Sequence, residues 1–154
     1  FWNTPELAGE AGYTSEEIRP NGMILCYPVI TSGEYAHGGS FRNLLGDRYG
    51  ELKDKMSLEK QVTKDTPKAF IWHTFEDDTV LPDNTLLFVN ALYKKGIPAE
   101  YHLFPDGKHG IGLGDERTAN DNGRGIVKAC RTWSDLAGKW LEREFPWWTG
   151  EKVD

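Results

Sequence analysis

Two short apolar runs without alternation, Met23-Ile24-Leu25-Cys26-Tyr27 and Ala69-Phe70-Ile71-Trp72, limit the folds open to this chain more than any other feature. A strand with one wet face alternates apolar and polar residues, whereas an unbroken run is how a parallel strand covered on both faces reads. Pro28 ends the pairing of the first run, because it has no N–H to give to a ladder. Pro67 precedes the second run. The stretch 32–50 is rich in Gly and polar residues and is expected to be a long excursion rather than an element, of the kind that forms lids and binding loops. A short helix is expected at about 58–62.

Past the second run, Pro82-Asp83-Asn84 introduces a helix in which Leu87, Phe88, Ala91 and Leu92 recur at three and four. Lys94 and Lys95 suit its carbonyl end, and Gly96 can take the left-handed position after it, with Ile97 packing back. Residues 100–104 alternate and predict a third strand nearer a sheet edge. A glycine-rich loop follows over 107–125. The longest helix is expected over 126–145, where Ile126, Cys130, Trp133, Ala137 and Trp140 form one stripe. Strands alternating with helices in this way indicate an α/β domain with a mostly parallel sheet.

The 154 residues suit one core rather than two. With 18 basic against 24 acidic side chains the net charge is −6, which argues against a nucleic-acid partner. No run approaches the ~18 apolar residues of a membrane helix, so no membrane partner is expected. Cys26 and Cys130 read as core packing rather than as a secreted disulfide framework. The chain opens Phe1-Trp2-Asn3 and has its first methionine at Met23, so upstream sequence or a removed leader is expected.

In open α/β sheets the working residues lie on loops leaving the carboxyl ends of strands. Two such loops carry titratable groups: His73-Thr74-Phe75-Glu76-Asp77-Asp78 after the second run, and Pro105-Asp106-Gly107-Lys108-His109-Gly110 after the third. If those strands are neighbours, an acid and a histidine share one rim. That is the pair a serine nucleophile needs, the carboxylate fixing the tautomer of the imidazole that takes the hydroxyl proton. Acid before histidine is also the chain order of one triad architecture.

At these residues the sequence resembles the carboxyl-terminal half of an α/β-hydrolase, in particular the acetyl-esterase and acetylxylan-esterase-like group related to prolyl-oligopeptidase-type hydrolases. The resemblance rests on Leu25-Cys26-Tyr27-Pro28-Val29-Ile30-Thr31-Ser32-Gly33, on Phe70-Ile71-Trp72-His73-Thr74 through Asp77, on Asn84-Thr85-Leu86-Leu87-Phe88, and on Phe104 through His109-Gly110-Ile111-Gly112-Leu113. It implies Asp77 as catalytic acid and His109 as catalytic base. Counting back from Pro82 would give Asp78 instead, while the ungapped match through Phe88 favours Asp77. No Gly-x-Ser-x-Gly elbow exists, since Ser15, Ser32, Ser40, Ser57 and Ser134 lack the flanking glycines; Gly38-Gly39-Ser40-Phe41-Arg42 fails at its last position.

Residues 1–154 are therefore expected to form a partial α/β-hydrolase domain without its nucleophile-bearing amino-terminal half. The resemblance implies removal of short acyl groups, such as acetyl from sugars or xylan oligomers. An oligopeptidase-like peptidase and a non-catalytic hydrolase-fold module are the alternatives. The partners expected are a small-molecule or oligosaccharide ester, and either the missing half or a second copy on the open edge of the first strand. No cofactor is expected, and no His or Cys pair has zinc-ligand spacing. His73 and His102 are expected to be structural, while His37 could contact substrate. Gly110-Ile111-Gly112-Leu113-Gly114 lacks dinucleotide spacing and is expected to be a flexible loop that lets His109 swing. Trp147-Trp148 is expected to pack the tail on the body rather than stack on a sugar. The compartment stays open, with a cytoplasmic one favoured.

Overall fold

The computed structural model describes residues 2–149. Three parallel strands, β1 (Gly22–Cys26), β2 (Lys68–Thr74) and β3 (Ala99–Phe104), form a sheet in the order β1-β2-β3. The register pairs Met23 with Ala69, Ile71 with Tyr101 and Thr74 with Phe104, which sets the carboxyl ends of β2 and β3 side by side. Five α-helices are present among the described residues: α1 (Pro5–Glu10), α2 (Gly38–Leu45), α3 (Tyr49–Leu52), α4 (Asp83–Lys95) and α5 (Trp133–Glu144). This is the α/β arrangement expected.

β2 is buried from Ala69 to Thr74 and divides the interior, because successive side chains of a strand point to opposite faces. Phe70 and Trp72 pack with Cys130, Ala137, Trp140 and Phe145 on the α5 side. Ala69 and Ile71 pack with Ile30, Val62, Phe88 and Leu92 on the α4 side. Lys68 to Glu144 at 3.0 Å and Arg143 to Glu100 at 2.7 Å tie the end of α5 to the sheet.

The unbroken run of β1 is not covered on both faces as expected. Among the described residues β1 is an edge strand, and Ile24, on the α5 side, is 40% exposed. β3 occupies the opposite edge, in keeping with its alternation.

α4 matches its sequence signals closely. Gly96 is left-handed at φ 70°, and the Ile97 N–H reaches Leu92 O at 3.0 Å while the Gly96 N–H reaches Tyr93 O at 3.0 Å. That pair of bonds satisfies orphan carbonyls and returns Ile97 to the core beside Leu92.

Three expectations need correction. The excursion at 32–50 contains α2 and α3; the His37 side chain caps α2 by accepting from Ser40 N, and Phe41 is buried. His37 thus has a structural role there. The last helix begins at Trp133, not 126, because the preceding residues form only a single 3₁₀ turn, Lys128–Cys130, and leave Ile126 40% exposed. The helix expected at 58–62 is a 3₁₀ turn, Leu58–Lys60. Cys26 and Cys130 are both free thiols, the latter buried. Trp147 meets Phe145 edge-on at 6.1 Å; Phe1 and the Trp148 side chain, named above, lie outside what is described.

Candidate active site

The β2–β3 pairing brings two loops onto one rim. Phe75 N–H donates to Phe104 O at 2.8 Å, carrying the ladder one residue past the end of β2. The chain then turns at Asp77, whose Oδ1 accepts from Thr79 N at 3.0 Å and Val80 N at 2.9 Å. An aspartate that bonds backbone N–H groups two and three residues on builds its own turn. Asp77 is 2% exposed and its orientation is fixed by those bonds.

The other carboxylate oxygen faces two imidazoles. His109 Nδ1 lies 2.8 Å from Asp77 Oδ2, and His73 Nε2 lies 3.1 Å from the same atom. His73 is fully buried, its Nε2–H shared with Val80 O at 2.8 Å and its Nδ1 3.3 Å from Thr85 Oγ1. Burial holds the His73 pKa below the ordinary histidine value, so it acts as a neutral donor that steadies Asp77. His73 is structural, at the end of β2.

In the neutral tautomer that gives its Nδ1–H to the carboxylate, His109 presents a lone pair at Nε2. Its side chain is 30% exposed, and among the described residues no hydrogen bond uses Nε2. The arrangement can therefore accept a proton at Nε2 and stabilise the resulting cation through Nδ1. Asp78 does not share this position. It is exposed and pairs with Lys108 Nζ at 3.0 Å, which holds its carboxyl below the usual range. Lys108 also donates to Glu76 O at 3.0 Å and thereby straps the histidine loop to the acid loop.

The glycine-rich segment after His109 is pinned, contrary to the expectation of a flexible loop. Gly112 O accepts from Trp133 Nε1 at 2.9 Å, Leu113 N donates to Thr118 Oγ1 at 2.8 Å, and Val127 N donates to Gly114 O at 2.9 Å. Gly107, Gly110, Gly112 and Gly114 all have positive φ, so these glycines shape the turn rather than loosen it. Beside His109 opens a cleft of about 620 Å³ whose lining includes Glu76, Thr118, Asn120, Arg124 and Lys128.

Two residues of the site escaped the sequence reading. Asn84 is fully buried in the first turn of α4; its Oδ1 accepts from Ile30 N at 2.9 Å and Thr31 N at 3.0 Å, and its Nδ2 donates to Tyr35 O and Leu81 O, both at 3.0 Å. It binds the loop after β1 to the end of the acid loop. Tyr27, directly after β1, packs its ring on that of His109 with centroids 4.9 Å apart. Ser40 is bonded to His37, and Ser57 to Glu59, not to His109.

The sequence profile of the prolyl oligopeptidase family matches residues 27–128. Over 115 residues the chain is 46% identical to endo-1,4-beta-xylanase B of Butyrivibrio fibrisolvens, covering 74% of this chain and 17% of that protein. It is 33% identical over 107 residues to an acetylxylan esterase of Xylanibacter ruminicola, covering 64% of this chain and 22% of that protein. Among solved structures it is similar to the acetyl ester-xyloside bifunctional hydrolase of Caldicellulosiruptor lactoaceticus, with a TM-score of 0.72 and 38% identity over 85% of this chain and 44% of that one. The chain thus spans under half of each of these relatives. Profile, sheet and relatives agree: the chain belongs to the prolyl oligopeptidase family of α/β-hydrolases.

Proposed function

We propose that this chain is the acid- and base-bearing part of a serine ester hydrolase that removes short acyl groups, acetyl in particular, from acylated sugars or xylan oligomers. The observation that carries this reading is the 2.8 Å bond from His109 Nδ1 to an Asp77 whose other oxygen is locked by two backbone N–H groups. A serine hydroxyl attacks the ester carbonyl and gives its proton to His109 Nε2. The imidazolium, held on Asp77, returns that proton to the leaving alkoxide. Water then attacks the acyl-enzyme with His109 again as base, releasing the carboxylic acid and regenerating the serine.

No serine of this chain has the elbow motif, and none is bonded to His109 among the described residues. The reading therefore assigns the nucleophile and the oxyanion donors to a segment outside these residues, and residues 1–154 to one part of the hydrolase domain. The acetyl and xylan specificity is supported by the acetyl ester-xyloside hydrolase and the acetylxylan esterase, and by the polar cleft beside His109, which suits a hydroxylated ligand. The unpaired edge of β1, flanked by clefts containing Ile24 and Trp140 on one face and Met23 and Phe88 on the other, supports pairing there with that segment or with a second copy.

The test is labelling with a serine-directed phosphonate together with acetyl-ester and proline-peptide turnover. The complete gene product should label and prefer the acetyl ester, while the isolated chain should do neither. The family match leaves an oligopeptidase as the second reading, and faster cleavage of the proline peptide would establish it. A complete product that does not label would make the fold a non-catalytic module.

A further inference from the structure

Tyr27 holds a backbone conformation that its neighbours make costly. Its φ of 39° is the one positive value at a non-glycine residue among those described. Pro28 follows, and a residue before proline is pushed toward extended geometry. Such strain persists only where surrounding contacts over-determine it, and it gathers at functional sites.

The contacts that impose it form a closed circuit. Tyr27 N–H donates to Trp72 O at 2.8 Å, one residue beyond the β1–β2 ladder. The Tyr27 ring meets Trp72 edge-on, with centroids 4.9 Å apart at 84°, and meets His109 at 4.9 Å and 69°. Its hydroxyl oxygen accepts from Gly112 N at 3.3 Å, on the loop that carries the histidine. Gly112 O in turn accepts from Trp133 Nε1 at 2.9 Å, and Trp133 stacks on Trp72 at 5.2 Å and 22°. Burial pushes the Tyr27 hydroxyl pKa up, with the Asp77 charge adding to it, so the ring stays neutral beside the imidazole.

A single hydrogen bond from Nδ1 would leave the partly exposed His109 ring free to rotate about it. The Tyr27 ring lies against the imidazole edge-on, with centroids 4.9 Å apart. We infer that Tyr27 is the positioning residue for His109, holding the imidazole against Asp77 so that Nε2 stays available for the reacting proton. The value of this placement for turnover rests on the reading of His109 as base, but its test needs no turnover.

The experiment is NMR of the imidazole nitrogens and of amide exchange in the 154-residue chain, comparing Tyr27→Leu and Tyr27→Phe with the unsubstituted protein. Tyr27→Leu should speed exchange of the His109 Nδ1 proton about tenfold, the scale of one lost aromatic pair, and mix the two His109 tautomers. His73, bonded to the same Asp77 but with its side chain on the face of β2 opposite the Trp72 and Tyr27 rings, should keep its signals, which a general loosening would also move. Tyr27→Phe should speed exchange of the Gly112 amide about fivefold, the scale of one hydrogen bond, while the His109 tautomer holds. A folded Tyr27→Leu variant with unchanged His109 signals overturns the inference. If that variant does not fold, a Tyr27→Phe variant with unchanged Gly112 protection overturns it. Should His109 respond to Tyr27 while His109→Ala leaves ester turnover intact in the complete enzyme, the functional reading fails and the positioning stands.

Discussion

Replacing Asn84 by alanine tests whether one buried amide ties the loop after β1 to the end of the acid loop. The side chain makes four hydrogen bonds at 2.9–3.0 Å, two of them to the N–H groups of Ile30 and Thr31. Both of those residues are 2% exposed, so bulk solvent does not reach those N–H groups in the folded chain. A buried donor left unsatisfied costs about 1–3 kcal/mol, so two cost roughly 4 kcal/mol at the centre of that range. Domains have a net stability of only about 5–15 kcal/mol, and at this chain length each kcal/mol moves the Tm by about 2–4 °C. Asn84→Ala should therefore lower the urea midpoint sharply and the Tm by about 8–16 °C, with the denaturant slope unchanged. Leu86→Ala, on the same helix but 47% exposed, is the control and should fall within about 1 kcal/mol of the parent. Equal midpoints for Asn84→Ala and Leu86→Ala would refute the reasoning.

Two further outcomes concern groups that burial holds neutral. His73 has a folded pKa below its ordinary 6.5, chiefly through burial. The unfolded chain therefore takes up a proton that the folded chain declines, so this contribution to stability is whole above pH 6.5 and is lost as pH falls toward the folded value. His73→Gln should flatten the dependence of the urea midpoint on pH below 6.5, and an unchanged slope would count against a neutral His73. The Cys130 thiol is pushed up to about 11 by burial. In the native chain at mildly alkaline pH a thiol reagent should reach the half-buried Cys26 first and Cys130 only on unfolding, and mass mapping that finds Cys130 modified first would contradict the packing described.

The parts of the fold legible in the sequence are those with local causes. Gly96 and Ile97 announced the end of α4 because a left-handed residue and a returning apolar side chain need only their own helix. The excursion at 32–50 misled because Gly38 and Gly39 disfavour helix, and the His37 cap and the burial of Phe41 that offset this were hidden from a linear reading. The stripe from Ile126 to Trp140 has helical period, yet Ile126 stays largely exposed and the helix begins only at Trp133. At the site, strand ends located the two loops that carry Asp77 and His109, while the choice of Asp77 over Asp78 came from the family resemblance. Asn84 and Tyr27 could not be picked out, because their roles depend on partners far away in the chain: Asn84 bonds to residues 49–54 positions earlier, and Tyr27 to Gly112, 85 positions later.

The proposed function requires Asp77 and His109 to act as one acid–base pair, with Asp78 outside it. The most direct test is the kcat/KM of the complete gene product on an acetyl ester, measured for Asp77→Asn and Asp78→Asn side by side with retained fold checked by circular dichroism. The amide introduced by Asp77→Asn would turn its N–H toward His109 Nδ1, favour the tautomer with the proton on Nε2 and remove the base, a loss of about 10³–10⁴-fold. Asp78→Asn removes only an exposed pair with Lys108 and should leave turnover within about threefold of the parent. Near-normal turnover in Asp77→Asn, or a collapse in Asp78→Asn alone, would contradict that pairing.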